Sequence, residues 1–406
     1  MQTKTVCVIG LGYIGLPTAA LLAGKGYQVV GVDVNPKTVE TINKGQIHIV
    51  EPDLDAFVRS AVSSGKLKAQ TAPANADIFM VCVPTPLSEK RDGIPQPDIS
   101  YVESAVKSIA PYLKSGNSVI LESTSPVGTT AAMTKVLSAL GVDVSKIHIA
   151  YCPERVLPGK IMTELVENDR VVGGMTPSAS DAVSEFYKTF VRGEVIQTDA
   201  QTAEMCKLAE NSYRDVNIAY ANELSLICAN AGINVSKLIE LANRHPRVNI
   251  LTPGVGVGGH CIAVDPWFVV AKDPNNARLI HAARNVNDYK TEWVIAQISE
   301  QLKQLHLTLK RKPKVACFGL AFKPDIDDLR ESPALLVAEK VSQMDCDLLV
   351  VEPNIDYHDS FTLSEPLKGY DSADLLIFLV KHRQFIDLVK RTNPSGKTVL
   401  DYCGIL

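Results

Sequence analysis

The sequence has almost no excess charge and lacks any long hydrophobic run. Its 406 residues carry 41 Lys and Arg against 45 Asp and Glu, a formal net charge of −4. Without a basic surplus the chain has no electrostatic footprint for nucleic acid or an anionic membrane, and we expect neither as a partner. No run of about 18 apolar residues occurs, so no membrane-spanning helix is expected.

Paired cysteine motifs are missing as well. Nine cysteines are scattered along the chain without C-x-x-C spacing, which argues against a disulfide framework and against a zinc site. The N-terminus, MQTKTVCVIG, lacks the pattern of a signal peptide, so we expect a cytoplasmic protein. Most of the cysteines are expected to be small buried hydrophobic residues.

What the sequence does contain is a regular alternation of strands and helices. Short β-rich runs (TVCVIG, QVVGVD, DIFMVCVP, SVILEST, KIHIAYCPE) are separated by segments of helical length, which predicts a parallel, doubly wound sheet. Between the second and third runs we expect two helices joined by a Pro-containing loop. The segment TPLSEKRDGIPQPDIS predicts a mobile loop at the ligand-binding edge of the sheet.

A long helix is predicted next, because the chain from TAEMCK to Gly232 contains no proline or turn pair. Strand signals return after the basic linker LKRKPK, with VACFGLAF, CDLLVVEP, ADLLIFLV and TVLDY. The predicted fold class is α/β, with two Rossmann-like parallel-sheet domains joined by a long central helix and a helical connector. The predicted domains are residues 1–198, 199–306 and 307–406.

The first strand leads into a dinucleotide-binding pattern. VCVIGLGYIG has the spacing Gly10-x-Gly12-x-x-Gly15, and VVGVD places Asp33 at the end of the next strand. Gly10 permits a tight turn, Gly12 lets the backbone approach a pyrophosphate, and Gly15 lets the helix pack on the strand. Asp33 would accept hydrogen bonds from ribose hydroxyls and repel a 2′-phosphate, so the predicted cofactor is NAD rather than NADP.

The long helix carries a polar stripe. Lys207, Asn211 and Arg214 lie at i, i+4 and i+7 and therefore share one face. They form either a solvated stripe or part of a site in which a partly desolvated lysine acts as a base near an alcohol. Apolar residues on the remaining faces, such as Leu208 and Val216, favour a central helix and the second interpretation.

Two strand ends also carry polar side chains. LESTSPVGTT puts Thr124 and Ser125 at a strand end, where they either cap the next helix or contact a ligand. AYCPERVLPG puts Glu154 and Arg155 at another strand end, where they are either surface residues or side chains aimed at the cofactor crevice.

Cys261 has an unusual setting, in PGVGVGGHCIAVDPWF. The four glycines between residues 254 and 259 allow close approach of a ligand to the backbone. Cys261 is then either an inert buried thiol or a nucleophile that attacks a carbonyl, with Asp265 ordering a water for later hydrolysis. The neighbouring His260 has no partner at metal-ligand spacing, so no metal site is predicted.

RHPRVN places His245 and Arg247 before this glycine loop, either as structural residues or as two cations that grip a phosphate.

A nicotinamide cofactor combined with a nucleophilic cysteine indicates a particular reaction. Oxidising an alcohol to an aldehyde needs no thiol, whereas oxidising the aldehyde further proceeds through a thiohemiacetal and a thioester. We therefore predict a four-electron dehydrogenase that converts a primary alcohol to a carboxylate with two NAD. Two other interpretations stay open, a β-hydroxyacid dehydrogenase and an NAD-sensing binding protein with Cys261 as a redox switch.

Seven motifs together resemble the UDP-glucose/GDP-mannose dehydrogenase family and cover nearly the whole chain in the right order. They are GLGYIGLP, VPTP, STSPVGTT, PERVLPG, EMCKLAENSYRDVNIAYANEL, GVGVGGHCIAVDPWF and GLAFKPDIDDLRESP. The resemblance implies NAD in the first domain, dimerisation through the central one, and a UDP-sugar in the last. It also implies a homodimer.

Roles for individual residues follow from the same resemblance. Cys261 would be the nucleophile, Lys207 the acid/base near the C6 oxygen, and Asn211 an oxyanion donor. The attacking water would lie near Thr124, Glu154 and Asp265. The implied contacts of NAD are Gly10, Gly12, Tyr13, Ile14, Gly15, Asp33, Thr85, Thr124 and Arg330. The implied contacts of the sugar nucleotide are Arg155, Val156, Lys207, Asn211, Arg214, His245, Arg247, Gly258, Phe322 and Lys323.

The expected substrate is UDP-N-acetyl-D-mannosamine, because PERVLPG, HPRVN and GGHCIAVDPWF are most similar to family members that act on it. UDP-GlcNAc, UDP-GalNAc and UDP-glucose are the alternatives. Glucose-specific members carry a second glutamate four residues after the one matching Glu154, whereas this chain has Pro158. That departure weakens the glucose alternative and the hydrolytic role of Glu154.

Overall fold

The computed structural model describes residues 4–259, 261–392 and 396–406. The chain divides into two compact units, Met1–Glu210 and Asn211–Leu406, and their boundary falls inside one long helix. None of the helices in this described part of the chain combines the length and the apolarity needed to cross a membrane.

The first unit is built on a twisted sheet. Its strands are β1 (Thr5–Ile9), β2 (Gln28–Val32), β3 (Leu67–Gln70), β4 (Ile78–Val81), β5 (Leu87–Arg91), β6 (Ile94–Pro97), β7 (Ser118–Leu121), β8 (His148–Tyr151), β9 (Arg170–Gly174) and β10 (Val195–Asp199). Within the described residues, eight of them pair in the order β10-β9-β8-β7-β4-β1-β2-β3. The strands from β8 to β3 are parallel, whereas β9 runs antiparallel to β8. The remaining two, β5 and β6, form a separate antiparallel hairpin.

Helices cover both faces of this sheet, which explains why its inner strands β1, β4, β7 and β8 are almost entirely buried. The helices are α1 (Gly15–Gly24), α2 (Pro36–Asn43), α3 (Leu54–Ser63), α4 (Ser100–Ile109), α5 (Thr129–Ala139), α6 (Ile161–Glu167), α7 (Pro177–Tyr187) and the long α8 (Ala200–Ala231). Alternate residues of β1 face two different cores. Val6 and Val8 join one hydrophobic cluster, and Cys7 and Ile9 join the other.

The second unit contains a smaller parallel sheet. Its strands are β11 (Lys314–Phe318), β12 (Asp347–Val351), β13 (Leu375–Phe378) and β14 (Thr398–Asp401), paired in the order β12-β11-β13-β14. Its helices are the C-terminal part of α8, α9 (Val235–Ala242), α10 (Asp265–Lys272), α11 (Arg278–Leu309), α12 (Pro333–Ser342), α13 (Pro366–Ser372) and α14 (Arg383–Arg391). Alternate residues of β11 again face two cores.

The predicted α/β class, with two parallel sheets and a long central helix, is confirmed. The five strand runs of the first half and the four of the last hundred residues all form strands. The predicted pair of helices is present as α2 and α3, and α8 ends at the residue before Gly232. The three-part division of the chain stays a prediction.

Two parts of the sheet prediction were wrong. The first sheet is not parallel throughout, because β9 and β10 continue it in the opposite direction. The segment predicted as a loop contains the hairpin β5–β6, whose turn is Asp92-Gly93 with positive φ at both residues. An Asp-Gly pair is a common two-residue hairpin turn and was the signal for this element.

The turn between β1 and α1 depends on close backbone approach. A Cβ atom on Gly15 would lie 1.8 Å from the carbonyl oxygen of Gly10, so a side chain at this position forces the helix away from the strand. At the other end of the same helix, a Cβ on Gly24 would meet no heavy atom within 4 Å.

We therefore expect Gly15→Ala to lower the free energy of unfolding by about 3 kcal/mol or more, through overpacking against backbone that cannot move aside. Gly24→Ala is the matched control and should raise it by up to about 1 kcal/mol, because alanine favours a helix over glycine. Urea denaturation of both variants measures the difference. Equal stabilities would contradict the close packing of strand and helix.

Candidate active site

The β1–α1 turn has the features of a dinucleotide site. The Asp33 carboxylate accepts hydrogen bonds from the backbone N–H of Leu11 (3.1 Å) and of Asn35 (2.9 Å), which fixes it beside the turn. A Cβ on Gly12 would meet no heavy atom within 4 Å, so the backbone there is open to a ligand. Ile14 begins α1 without a side-chain cap. These residues fit the pyrophosphate and ribose of a dinucleotide.

Two residues predicted to contact NAD meet at neighbouring strand ends. The Thr85 hydroxyl donates to the carbonyl oxygen of Thr124 at 2.6 Å. The capping alternative for Thr124 and Ser125 was wrong, because the residue before α5 is Gly128 and its N–H is satisfied from elsewhere. Glu204 of α8 accepts hydrogen bonds from the N–H of Gly128 at 2.6 Å and from the N–H and hydroxyl of Thr130.

Glu154 is not a surface residue but is buried in an ion pair. Its side chain is bonded to Arg170 at 2.6 Å, and Arg170 is 1% exposed. Its other carboxylate oxygen accepts the backbone N–H of Arg155 at 2.6 Å. Both oxygens of Glu154 therefore have protein donors, and the carboxylate shapes the start of the PERVLPG loop.

A second carboxylate, Glu122, lies in the same buried cluster. It accepts hydrogen bonds from the Tyr187 hydroxyl at 2.6 Å and from the Cys82 thiol at 3.2 Å. Burial, and next the negative charge of Glu154, raise the pKa of Glu122, which comes to about 7 overall. Arg170 and the two donors oppose this rise, so Glu122 still titrates near neutrality.

Two further residues of the PERVLPG loop, Arg155 and Val156, contact other parts of the first unit. Arg155 forms an ion pair with Glu210 of α8 at 2.7 Å, and both side chains are about one-third exposed. Val156 packs against the hydrophobic cluster that includes Val6 and Val8. Arg155 is thus held next to the face of α8 that carries Lys207.

Cys261 is the one exposed cysteine of the nine, all of which lie within the described residues and outside any disulfide. It precedes α10, and its carbonyl oxygen accepts the N–H of Val264 and of Asp265, the latter at 2.8 Å. The Asp265 side chain is 3% exposed and accepts a 2.6 Å hydrogen bond from the Asn211 amide of α8. The structure therefore joins two predicted catalytic residues, Asn211 and Asp265, by a hydrogen bond. The backbone N–H of Asp265 is in turn bonded to the carbonyl oxygen of the third, Cys261.

Lys207 lies one helical turn before Asn211 on α8. Both are buried, with 8% and 6% of their surface exposed, so the solvated-stripe interpretation fails for them. Arg214 is exposed, as are His245 and Arg247 on their loop. His260 lies outside the described residues. Within those residues, no group of His, Cys, Asp and Glu is arranged to hold a metal ion.

The glycine loop packs against the loop that follows β11. A Cβ on Gly258 would lie 2.4 Å from the carbonyl oxygen of Glu331 and 2.8 Å from Cβ of Phe322. The N–H of Gly259 donates to the carbonyl oxygen of Arg330 at 3.2 Å. The loop that leads to Cys261, here the cysteine loop, includes residues 254–259. Within the second unit it therefore contacts the loop after β11, where Phe322 and Lys323 are predicted to meet the nucleotide.

A buried acid and histidine hold that second loop in place. Glu352 accepts the N–H of Leu320 at 2.7 Å and of Ala321 at 3.1 Å, and pairs with Nε2 of His382 at 3.0 Å. Nδ1 of His382 accepts the N–H of Asp325 at 2.9 Å. The loop that bears Phe322 and Lys323 is thus fixed on both sides of these residues. Arg330, a few residues on, is paired with Asp328 at 2.6 Å.

Family models match three consecutive parts of the chain. Residues 4–191 match the NAD binding domain, residues 201–289 the central domain, and residues 316–406 the UDP binding domain of the UDP-glucose/GDP-mannose dehydrogenase family. The chain belongs to the UDP-glucose/GDP-mannose dehydrogenase family. The predicted NAD cofactor is thereby confirmed, and the matched UDP binding domain supports a UDP-sugar as the substrate.

Curated relatives of this family member match it over their full length. It is 55% identical to the UDP-N-acetyl-D-mannosamine dehydrogenase of Escherichia coli (strain K12), with 100% of both chains covered. It is 53% identical to the NDP-N-acetyl-D-galactosaminuronic acid dehydrogenase of Ralstonia nicotianae, covering 99% of this chain and 96% of that one. The solved structure of UDP-D-ManNAc dehydrogenase from Pyrococcus horikoshii is 37% identical, with a TM-score of 0.89 over 99% of this chain and 96% of that one.

Sequence reasoning missed several residues that shape the site of this dehydrogenase. Glu122 was predicted only as part of a strand run, Glu204 and Asn222 only as parts of a helix, and no prediction was made for Arg170. Their common signal is a charged or amide residue inside an otherwise apolar element, a position that requires a buried partner.

The raised pKa of Glu122 predicts a pH-dependent stability. An unfolded glutamate releases its proton near pH 4.5, whereas Glu122 in the folded protein keeps it up to about pH 7. Between these values the folded state binds more protons, so the free energy of unfolding falls as pH rises and levels off above about pH 7. Glu122→Gln removes this contribution, and its Tm should change less than that of the wild type between about pH 5 and 7.5.

Glu185→Gln, at an exposed surface pair with Lys188, is the matched control and should keep the wild-type slope. An unchanged slope in Glu122→Gln would show that this carboxyl ionises normally. Differential scanning calorimetry at about pH 5 and about pH 7.5 measures the Tm of the wild type and of both variants.

Proposed function

We propose that this protein oxidises the C6 alcohol of UDP-N-acetyl-D-mannosamine to the carboxylate of UDP-N-acetyl-D-mannosaminuronate, for surface polysaccharide synthesis. The observation that carries the proposal is the exposed Cys261 beside the hydrogen-bonded pair Asn211 and Asp265. The full-length relationship to enzymes named for this substrate supports the choice of sugar.

The chemistry divides into two oxidations and one hydrolysis. The net reaction consumes one alcohol, one water and two NAD⁺, and yields one carboxylate, two NADH and three protons. NAD, when bound, accepts a hydride in each oxidation. The residues of the first unit expected to hold it are Tyr13, Ile14, Asp33 and Thr85, at the glycine turn and the strand ends.

In the first oxidation, Lys207 takes the proton of the C6 hydroxyl. Its side chain is 8% exposed, which suits a group that exchanges a proton with a bound alcohol rather than with bulk water. Asn211 is one turn away on α8, and its amide has two N–H groups, one of which bonds to Asp265. The other is proposed to stabilise the developing oxyanion.

The second oxidation requires a covalent bond to the protein. The Cys261 sulfur attacks the C6 aldehyde, forming a thiohemiacetal whose oxidation leaves a thioester. Water then attacks the thioester, releases the carboxylate and returns the thiol. Asp265 and Thr124 are proposed to hold this water. Glu154, with both oxygens bonded to Arg170 and to the Arg155 N–H, acts in this proposal by fixing the loop that carries Arg155.

The sugar nucleotide is proposed to contact Arg155, Val156, Arg214, His245, Arg247, Gly258, Phe322 and Lys323. The exposed Arg214 and Arg247 are available to phosphate oxygens, and Phe322 packs against the glycine loop. We also propose the division into residues 1–198 for NAD, 199–306 for the cysteine loop and dimerisation, and 307–406 for the UDP-sugar. The nine free thiols support a reducing compartment, the cytoplasm.

The stoichiometry of the reaction tests the mechanism. Wild-type enzyme should form two NADH per UDP-N-acetyl-D-mannosamine, and Cys261→Ser should lower the rate of carboxylate formation by about 10³-fold or more, because serine is a far weaker nucleophile. NADH absorbance and mass spectrometry of the product measure both. One NADH per sugar in the wild type would contradict the four-electron reaction.

Cys346→Ser is the matched control, since its hydroxyl keeps the donor that Cys346 offers to the carbonyl oxygen of Val341. It should retain the wild-type rate. UDP-GlcNAc, UDP-GalNAc and UDP-glucose assayed in parallel decide the sugar. The Ralstonia nicotianae relative makes the galactosamine series the second candidate.

We further propose that the protein is a homodimer joined through the helical connector. Tyr213, Tyr220 and Ile227 recur every seven residues on α8 and are 71%, 55% and 55% exposed. Leu279 and Tyr289 of α11 are exposed as well. Large apolar side chains repeated along one helix face are typical of a surface that a second copy covers.

Tyr220→Glu should convert the dimer to a monomer, because a carboxylate is placed in an apolar contact without a partner. Tyr357→Glu, at an exposed tyrosine outside the connector, should leave the mass unchanged. Light scattering after size-exclusion chromatography gives the mass of each. A wild-type monomer would contradict the dimer, and a dimeric Tyr220→Glu variant would remove α8 from its interface.

A further inference from the structure

A ladder of buried polar side chains joins α8 to α11 in the second unit. Asp215, Asn222, Arg284 and Asn287 are each at most 3% exposed. Burying polar groups is unfavourable unless each has a hydrogen-bond partner, so such a ladder needs a compensating role. None of these residues belongs to the proposed catalytic or binding sets.

The order of hydrogen-bond donors and acceptors along this ladder is fixed by its carboxylate end. Asp215 carries a carboxylate, which only accepts hydrogen bonds, and it receives Arg284 at 2.7 Å and the Asn287 amide N–H at 2.8 Å. The oxygen of Asn287 therefore points the other way and accepts the Asn222 amide N–H at 2.9 Å. Because the Asn222 N–H group is turned toward Asn287, its amide oxygen faces the backbone N–H of Gly254. It accepts a hydrogen bond from that N–H at 2.9 Å.

Gly254 is the first glycine of the cysteine loop, and the next residues are anchored from the same side. The Thr291 hydroxyl of α11 donates to the carbonyl oxygen of Val255 at 2.8 Å. A Cβ on Gly256 would lie 2.4 Å from that hydroxyl oxygen, so the loop backbone lies directly against Thr291. Gly254 and Val255 are thus each held by one side-chain hydrogen bond, and Gly256 packs against Thr291.

Helix α8 consequently holds the cysteine loop at two points. Asn211 bonds to Asp265 after Cys261, and Asn222 bonds to Gly254 before it. The two asparagines are eleven residues apart, about three helical turns or roughly 16 Å, and share one face of the helix. Because four glycines give the loop great conformational freedom, these anchors decide where the thiol lies.

We propose that Asn222, oriented by Asn287 and Asp215, acts with Thr291 as a pair of positioning residues that place the Cys261 thiol for attack on the C6 aldehyde. The proposal rests on the proposed function of Cys261 as the nucleophile. Neither residue touches the reacting atoms. Their effect belongs to the second oxidation, since the first needs no thiol.

Asn222→Ala tests this role, with Asn217→Ala as the matched control. Asn217 lies on the same helix, but its amide bonds only to the carbonyl oxygen of Tyr213. In a single turnover with excess enzyme and NAD, the first NADH phase of Asn222→Ala should stay within about twofold of the wild type. The second should slow about 10- to 100-fold, the effect of a misplacement on the order of 1 Å. Asn217→Ala should match the wild type in both phases.

A second pair of variants keeps the proposal testable if Asn222→Ala fails to fold. Thr291→Val has the shape of threonine without its hydroxyl and should slow the second phase about 10-fold. Thr291→Ser keeps the hydroxyl and should restore the wild-type rate. A fall in both phases, or equal rates for Val and Ser, would contradict the positioning role.

Hydrogen exchange gives a readout that needs no substrate. The amides of residues 254–259 should exchange at least about fivefold faster in Asn222→Ala than in the wild type, because the Gly254 N–H loses its acceptor. Unchanged exchange would overturn the anchoring. Faster exchange with both NADH phases intact would overturn its part in catalysis. A wild-type enzyme that forms no second NADH would refute the proposed function and the catalytic role together, while the exchange rates still decide the anchoring.

Discussion

Several buried polar groups of helix α8 bond to other elements, and much of the candidate site follows from these hydrogen bonds. Glu204 accepts the first amides of α5, Asn211 bonds to Asp265, Asp215 pairs with Arg284, and Asn222 accepts Gly254. Each partner lies on a different element. Unsatisfied polar groups at these depths cost on the order of 1 to 3 kcal/mol each, so each of these hydrogen bonds holds its element to the part of the helix in the same unit.

The elements that the sequence predicts correctly are those whose residues carry the pattern locally. The run TVCVI is apolar from Val6 to Ile9 because alternate residues face two cores, and the helical stretch from Ala200 to Ala231 is uninterrupted by Gly or Pro. Strand direction has no such local signal. The run at Arg170 is as apolar as its neighbours, and only its pairing with β8 makes it antiparallel.

The residues of the candidate site also divide into those with a local signal in the sequence and those without one. Cys261, Asp33 and the glycines could be identified because chemistry or backbone geometry restricts the residue type at those positions. Their supports could not, since Glu204 caps a helix that begins 75 residues earlier in the chain and Arg170 meets Glu154 across 16 residues. Such pairs become visible only once the fold brings them together. The interpretation of Glu154 changed for this reason, from a loop acid near water to a buried ion-pair partner that also holds a backbone amide.

The buried pair Glu352 and His382 has a consequence for affinity. By bonding to the amides of Leu320, Ala321 and Asp325, it holds the stretch around Phe322 in one conformation before any nucleotide arrives. A ligand that meets a prearranged surface loses less conformational entropy on binding, so more of its contact energy appears as affinity. The loop therefore displays its side chains on a prearranged backbone, so substitutions there change the surface it presents without changing that backbone.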